Sequence, residues 1–413
     1  MKKKIVKQSS LDILMFIFLI VLIGRDSFYF LGEFKNILYY GIYIYYIYRI
    51  SSYIFSKSKL NNQFKMSKII LTLLILLLLS AFWSINISNS LFLTVKNLVM
   101  PFIIVTFMLN HYNEKILIKA LFYSGLIITI TSIFTVLFLP EFGTMTSVLH
   151  SGLWRGIYSH KNILGASLSI FSVLSFVLML YVKKLKEKIL LLLIFLVQLM
   201  VIYFAGSTTS LLTIAVVFIV MFMLFIFRKI NNIFLFLSIL LILFIPSIFG
   251  LLVTLYNSLE SITTAFGKDL TFSGRIYIWE AVIDLIRVNP ILGYGYGSFW
   301  DEGSETYNYV NNYVGWRDFT FNHAHNGFLD LLTSVGFIGF IIFFISVYIY
   351  IKRNILLIFK EDSFLNFIPC SFLVYFLTNN LQESMLLEQN FIMWILYCFF
   401  YIFLMKRAKT FSN

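Results

Sequence analysis

The sequence predicts an all-α fold, a polytopic membrane helix bundle of about twelve transmembrane helices whose long outer loop carries a short amphipathic helix. Three observations predict it. The 413-residue chain is 60% hydrophobic and only 12% charged, with a mean hydropathy of +0.89, far outside the range of soluble domains. Apolar runs of roughly 20 residues, the length needed to cross a hydrocarbon core of about 30 Å, recur from one end to the other. Loops rich in Lys and Arg alternate with loops poor in them, as the positive-inside rule requires of a multi-pass chain. Alternating strands of barrel type are absent, and the unbroken runs satisfy their backbones internally only as helices. No room remains for a large soluble domain, so residues 1–413 read as one integral membrane unit.

The elements follow in order. Lys2, Lys3, Lys4 and Lys7 precede an apolar run over 9–24, and Gly24-Arg25-Asp26 offers no small-residue cleavage site, so this reads as a retained first helix that starts in the cytoplasm. Spans at 34–50 and 68–85 flank an inner segment holding Arg49, Lys57, Lys59, Lys65 and Lys68. Spans at 91–109 and 116–139 flank Lys115 and Lys119, and a first long outer loop, 140–162, follows. Spans at 163–182 and 189–205 flank Lys183, Lys184, Lys186 and Lys188, and the span at 210–227 ends at Arg228 and Lys229. A ninth span at 232–255 leads out to the large outer loop, 256–326, and spans at 327–351, 364–381 and 390–405 complete the chain around inner Lys352, Arg353, Lys360, Lys406, Arg407 and Lys409. Both termini are thereby expected in the cytoplasm. The net charge of +13 reports this topology rather than a nucleic-acid partner. Cys370 and Cys398 fall inside spans, where thiols behave as small apolar groups and imply neither disulfide nor metal.

Polar residues collect in four outer groups. SGLWRGIYSHKNILG (151–165) carries Arg155, His160, Lys161 and Asn162. Such residues anchor helices in headgroups, yet cations on the outer side run against the positive-inside bias, and neighbouring glycines let backbone approach a ligand. AGSTTSLLT (205–213) brings Ser207 and Thr208 to a tight turn, where hydroxyls either cap the next helix or join its free amides in an anion site. In residues 271–300, Ile276, Trp279, Val282, Ile283 and Ile286 recur at helical spacing opposite Glu280, Asp284 and Arg287, which predicts an amphipathic helix along the outer surface, ended by Asn289-Pro290. The following GYGYG places Tyr294 and Tyr296 in a flexible loop whose rings suit sugar stacking. Arg275 stands near the helix start, where a cation opposes the macrodipole, so either a ligand or a loop carboxylate such as Asp269 must account for it. Last, FNHAHNG sets His323, His325 and Asn326 before the tenth span. No third and fourth metal ligand is identifiable, whereas an imidazole titrating near pH 6.5 suits a general base. If these groups gather on one face, guanidinium forks can grip phosphate oxygens while an imidazole activates a hydroxyl, a combination suited to a diphosphate-linked donor.

RGIYSHKNILG (155–165), SGRIYIWEAV with NPILGYGYGSF (273–299) and HAHNGFLDLLTSVGFIGF (323–340) resemble, in order and in relation to the spans, the family of O-antigen ligases and O-antigen or exopolysaccharide polymerases. The resemblance covers roughly residues 150–345. It implies a membrane glycosyltransferase of the bacterial cytoplasmic membrane that uses polyprenyl-diphosphate-linked glycans at the outer face, without nucleotide sugar, metal or other cofactor. It also implies that Arg275 contacts the diphosphate and that His325 acts on the acceptor hydroxyl. His323, Asn326, His160, Lys161, Asn162, Ser207, Thr208, Tyr294 and Tyr296 are the expected substrate contacts around them. Where many members carry an arginine in the short outer turn, this chain reads Ser207-Thr208-Thr209, which leaves Arg155 or Lys161 to supply the second positive charge and favours a polymerase of exopolysaccharide or capsule type over a ligase. The bilayer and a chain-length regulator complete the expected partners. The rival readings are a ligase acting on lipid A core, protein or wall, a flippase for the same lipid-linked unit, and a noncatalytic assembly subunit.

Overall fold

The computed structural model describes residues 2–23, 27–56, 67–147, 150–230, 275–315, 320–387 and 391–409. Along these residues run α1 (Lys2–Ile23), α2 (Glu33–Ser56), α3 (Lys68–Leu79), α4 (Ile87–Thr94), α5 (Met100–His111), α6 (Glu114–Phe138), the single turn α7 (Pro140–Gly143), α8 (Lys161–Tyr181), α9 (Leu185–Phe204), α10 (Thr208–Ile230), α11 (Arg275–Val288), α12 (Glu305–Val314), α13 (Gly327–Lys360), α14 (Phe367–Asn379) and α15 (Phe391–Lys409). The described residues contain no strand beyond one isolated bridge, Thr144 to Trp154. The fold is therefore the all-α membrane bundle expected. Each expected span on described residues is occupied by helix to within a few residues at its ends; the span at 232–255, with Asp269 and Lys57, Lys59 and Lys65, lies outside them.

Among the described residues, six helices are long and apolar enough to cross a bilayer, namely Ile87–His111, Glu114–Phe138, Lys161–Tyr181, Leu185–Phe204, Thr208–Lys229 and Gly327–Lys360. Shorter apolar helices, Ser10–Ile23, Lys68–Trp83 and Phe364–Asn379, pack among them. The first crossing joins α4 to α5 through a π-helical turn, Val95–Val99. Pro101, with no N–H, cannot close the π-type i→i−5 bond onto Lys96, and the Tyr43 hydroxyl donates instead to that Lys96 carbonyl at 2.7 Å.

The centre of the bundle is α15, buried from Ile392 to Leu404 and packed against α5, α13 and α14. Its sequence is apolar on all sides, as a helix surrounded by helices must be. At its far end Arg407 ties three elements together, meeting Glu114 at 2.9 Å, Glu361 at 3.0 Å and Asn366 at 2.8 Å. Asp12 of α1, fully buried, is held in a bidentate pair by Arg49 of α2 at 2.8 Å.

At the opposite end of the bundle a second, smaller core forms from Ile278, Ala281, Val282 and Ile286 of α11 with Phe299, Trp300, Val310, Phe321 and Ala324. The amphipathic helix predicted in residues 271–300 is thus present, but it is clamped under α12 rather than lying alone on a surface. Its buried stripe is also rotated. Ile278 and Ala281 point inward while Ile283, expected on the buried face, is exposed, because the partner is a protein core on one flank and not a flat interface.

Helix α13 is broken at Gly336, whose φ of 59° places it in the left-handed region. The break frees backbone groups, and the loop after α11 takes them: Phe337 N donates to Pro290 O at 2.8 Å, and Tyr294 N donates to Thr333 O at 2.7 Å. A Cβ on Gly336 would lie 2.2 Å from Ile291 O, so only glycine admits the loop here.

Candidate active site

Five segments bring polar side chains to the end of the bundle beneath α11 and α12: the N-termini of α8, α10, α11 and α13, and the turn that follows α14. What they converge on is a carboxylate. Glu383, its side chain 9% exposed, accepts through Oε1 from Arg275 at 3.1 Å and from Asn162 at 3.2 Å, while its Oε2 lies 3.3 Å from His325 Nδ1. Arg275 donates a further N–H to the Gln382 carbonyl. The cation that helix stability could not explain therefore has a carboxylate partner, supplied by the turn after α14. Burial pushes the Glu383 carboxyl up, but hydrogen bonding from His325 and the Arg275 charge outweigh it, and its pKa lies below the usual glutamate value.

His325 is placed by backbone as much as by side chain. Its φ of 51° is left-handed, a conformation costing a non-glycine residue on the order of 1 kcal/mol or more. The strain is held by flanking bonds. Asn326 caps α13, its Oδ1 accepting from Phe328 N at 3.1 Å and Leu329 N at 3.3 Å. Asn326 N donates to Ser384 Oγ at 3.1 Å, and Gly327 N to Asn380 O at 2.9 Å. Asp330, buried one turn into α13, accepts from Trp300 Nε1 at 2.8 Å, from Ala324 N at 3.1 Å and from the Ser384 hydroxyl. Asn326 is therefore a cap and a strut, and Asp330 and Ser384 fix the imidazole loop against the turn that bears Glu383.

The other expected residues fall into two sets. His160, with Nδ1 accepting from Asn162 N at 3.2 Å, sits within the electrostatic reach of Glu383 and His325; burial holds its pKa below the usual histidine value against the raising effect of Glu383. Lys161, buried, donates to Gly206 O at 3.0 Å, and Gly165 lets α8 approach Ser207, which a Cβ there would meet at 2.6 Å. Ser207 is buried and bonded within its own turn, 2.8 Å from Ser210 Oγ, while Thr208 stays exposed at the rim. Arg155 stands apart. Its guanidinium donates to Phe142 O at 3.0 Å and Glu141 O at 2.8 Å and lies 4.8 Å from the Tyr29 ring centroid, so it clamps the 140–159 loop instead of joining Arg275. Tyr294 and Tyr296 do not form a flexible stacking loop either. Their hydroxyls donate to Leu285 O at 2.7 Å and Leu387 O at 2.6 Å, and Tyr296 is buried.

Glu383 was not among the residues the sequence reading singled out, although it lies in NNLQES (379–384), a polar run at the outer end of a span like the four that were. It also supplies the third metal-type ligand that the sequence reading found lacking. Donor atoms of His323, His325 and Glu383 all lie within 4.8 Å of one another. The Arg275 guanidinium already neutralises that carboxylate, and a divalent ion there would meet it as a like charge.

Residues 191–344 match the O-antigen ligase family. The resemblance first seen over roughly 150–345 is borne out across that stretch, which holds Arg275, His323 and His325 but neither Asn162 nor Glu383. Over 88 residues the chain is 36% identical to the exopolysaccharide production protein ExoQ of Rhizobium meliloti (strain 1021), covering 21% of this chain and 20% of that protein. Over 138 residues it is 32% identical to a ComP-specific O-oligosaccharyltransferase of Acinetobacter baylyi, covering 32% of this chain and 23% of that protein. The matches thus span about a fifth of the curated relatives' own length.

Proposed function

We propose, from the premise that residues 191–344 are an O-antigen ligase family segment, that the protein is a metal-independent glycosyltransferase that polymerises lipid-linked oligosaccharide repeat units at the outer face of the bacterial cytoplasmic membrane. The donor is a glycan on polyprenyl diphosphate, and the acceptor is a hydroxyl of a second lipid-linked unit. The observation that carries this reading is the convergence of Arg275 and His325 on one buried carboxylate, at the end of the bundle remote from the Arg407 cluster. The positive-inside rule puts the basic end in the cytoplasm and the site outside.

In the reaction the acceptor oxygen forms a bond to the anomeric carbon as the bond to the diphosphate oxygen breaks. His325 Nε2 takes the hydroxyl proton, Glu383 stabilises the imidazolium, and Arg275 meets the negative charge that grows on the leaving diphosphate. Lys161, buried and held on Gly206 O, supplies the second positive charge. His323, His160 and Asn162 line the approach. No cofactor enters this scheme.

The test is the glycan pool of cells whose only copy carries His325→Ala. Polymer should disappear while single repeat units persist on lipid; normal chain lengths would overturn the assignment. The likeness to an O-oligosaccharyltransferase keeps a ligase reading in view, and there long lipid-linked chains, not single units, would accumulate. Lipid-linked units that never become accessible outside would indicate a flippase.

A further inference from the structure

His325 Nδ1 faces two groups at once. Glu383 Oε2 lies 3.3 Å away and His323 Nε2 lies 3.2 Å away. A neutral imidazole nitrogen has either one N–H or one lone pair, so both neighbours must ask the same of it. The carboxylate oxygen only accepts. On the far side of His323, Nδ1 lies 2.5 Å from Asn322 Oδ1, which also only accepts. His323 must therefore carry its proton on Nδ1 and offer a lone pair at Nε2, again towards His325. For neutral rings these contacts are satisfied together when both are Nδ1–H tautomers and His325 Nε2 is left unprotonated.

Resting on the reading of His325 as the base, we propose that His323 is a positioning residue that carries away the proton His325 receives. The acceptor O–H gives its proton to His325 Nε2 as the new glycosidic bond forms. The resulting imidazolium passes its Nδ1 proton to His323 Nε2, and His323 releases its own Nδ1 proton past Asn322 to water. Each ring ends neutral but in the Nε2–H form. The resting Nδ1–H pair returns when His325 Nε2 gives its proton to water and His323, taking one back at Nδ1, returns its Nε2 proton to His325 Nδ1, with Glu383 unchanged as the counter-charge. Glu383 alone could hold the imidazolium, but it cannot hand the proton on, because its Oε1 is occupied by Arg275 and Asn162 in a buried turn. His323 is partly exposed and sits against exposed Asn322, so it opens a second route to solvent from His325 Nδ1. The charged and titratable groups around His325 are Glu383 from the turn after α14, Arg275 from α11 through that carboxylate, Asp330 from α13 and His160 from the segment before α8.

The experiment uses the full chain in detergent micelles, labelled with ¹⁵N at its five histidines and assigned by single His→Gln variants. Neutral His325 and His323 should both give the nitrogen shifts of Nδ1–H tautomers. An Nε2–H tautomer at either ring would overturn the proposal whether or not glycan transfer is ever observed. In reconstituted transfer, His323→Gln keeps an acceptor for His325 but cannot move a proton. The rate should fall by roughly ten- to a hundredfold and recover with added imidazole. A rate equal to wild type at every buffer concentration would also overturn it, whereas wild-type chain that transfers nothing would sink the glycosyltransferase reading and leave the nitrogen spectra to decide the tautomer.

Discussion

At the scale of single residues, the site is one carboxylate shared by three donors, and its variants separate charge from shape. Glu383→Gln retains the size of the side chain but leaves Arg275 without its counter-charge and His325 without imidazolium stabilisation. Because removing one partner of a buried ion pair costs about 3–5 kcal/mol, thermal unfolding in detergent should occur well below wild type, and transfer should fall by at least about a hundredfold. Unchanged melting would show that Glu383 is not the keystone described. Arg275 was legible in the sequence because a cation at a helix N-terminus needs a reason. Its partner was not, since Glu383 lies more than a hundred residues further on, and nothing in local spacing links the two. Arg155 illustrates the reverse. An outer-face arginine with flanking glycines looks like a ligand contact, but the loop carbonyls of Glu141 and Phe142 compete for the same guanidinium and hold it.

At the scale of elements, positions of the helices were readable from apolar length alone, whereas the break in α13 was not. TSVGFIGF reads as ordinary span, and glycines are frequent in membrane helices. The break exists because the loop after α11 inserts its backbone there, a long-range event that hydropathy cannot register. Gly336→Ala forces a Cβ into a left-handed residue and onto Ile291 O at 2.2 Å. The strain alone costs about 1–3 kcal/mol, and relief requires expelling the 290–295 loop. Limited proteolysis should then cut that loop faster than in wild type, and melting should fall by several degrees; equal protection would mean that the loop does not depend on the break. The rotated face of α11 has the same origin. Its sequence fixes that the helix is amphipathic, but the choice between neighbouring stripes is made by Trp300, Phe321 and α12.

At the scale of the whole molecule, acid stability follows from the groups at the site. His160 is held neutral by burial, so its folded pKa lies below 6.5; as pH falls through 6.5 the unfolded chain takes a proton first, and stability is lost. Glu383 has a folded pKa below 4.5, so its contribution is present above 4.5 and disappears as pH falls through the folded value. Melting temperature should therefore decline in two stages on acidification, the first beginning near pH 6.5 and absent in His160→Gln. A flat profile between pH 7 and 5 would contradict the burial of that ring. Basic residues mark one end of the bundle and the candidate site occupies the other, an asymmetry already visible in the alternation of loop charge.

One arrangement reaches beyond the folded state. The family-matched stretch stops at residue 344, yet the carboxylate that orients its imidazole arrives only with the turn at 380–387, and α15, the pillar behind both, comes last of all. During synthesis the imidazole and the guanidinium are thus made before the carboxylate on which both converge. A shortened product ending at Asn379 would keep the whole family-matched stretch and still lack the anion on which Arg275 and His325 converge.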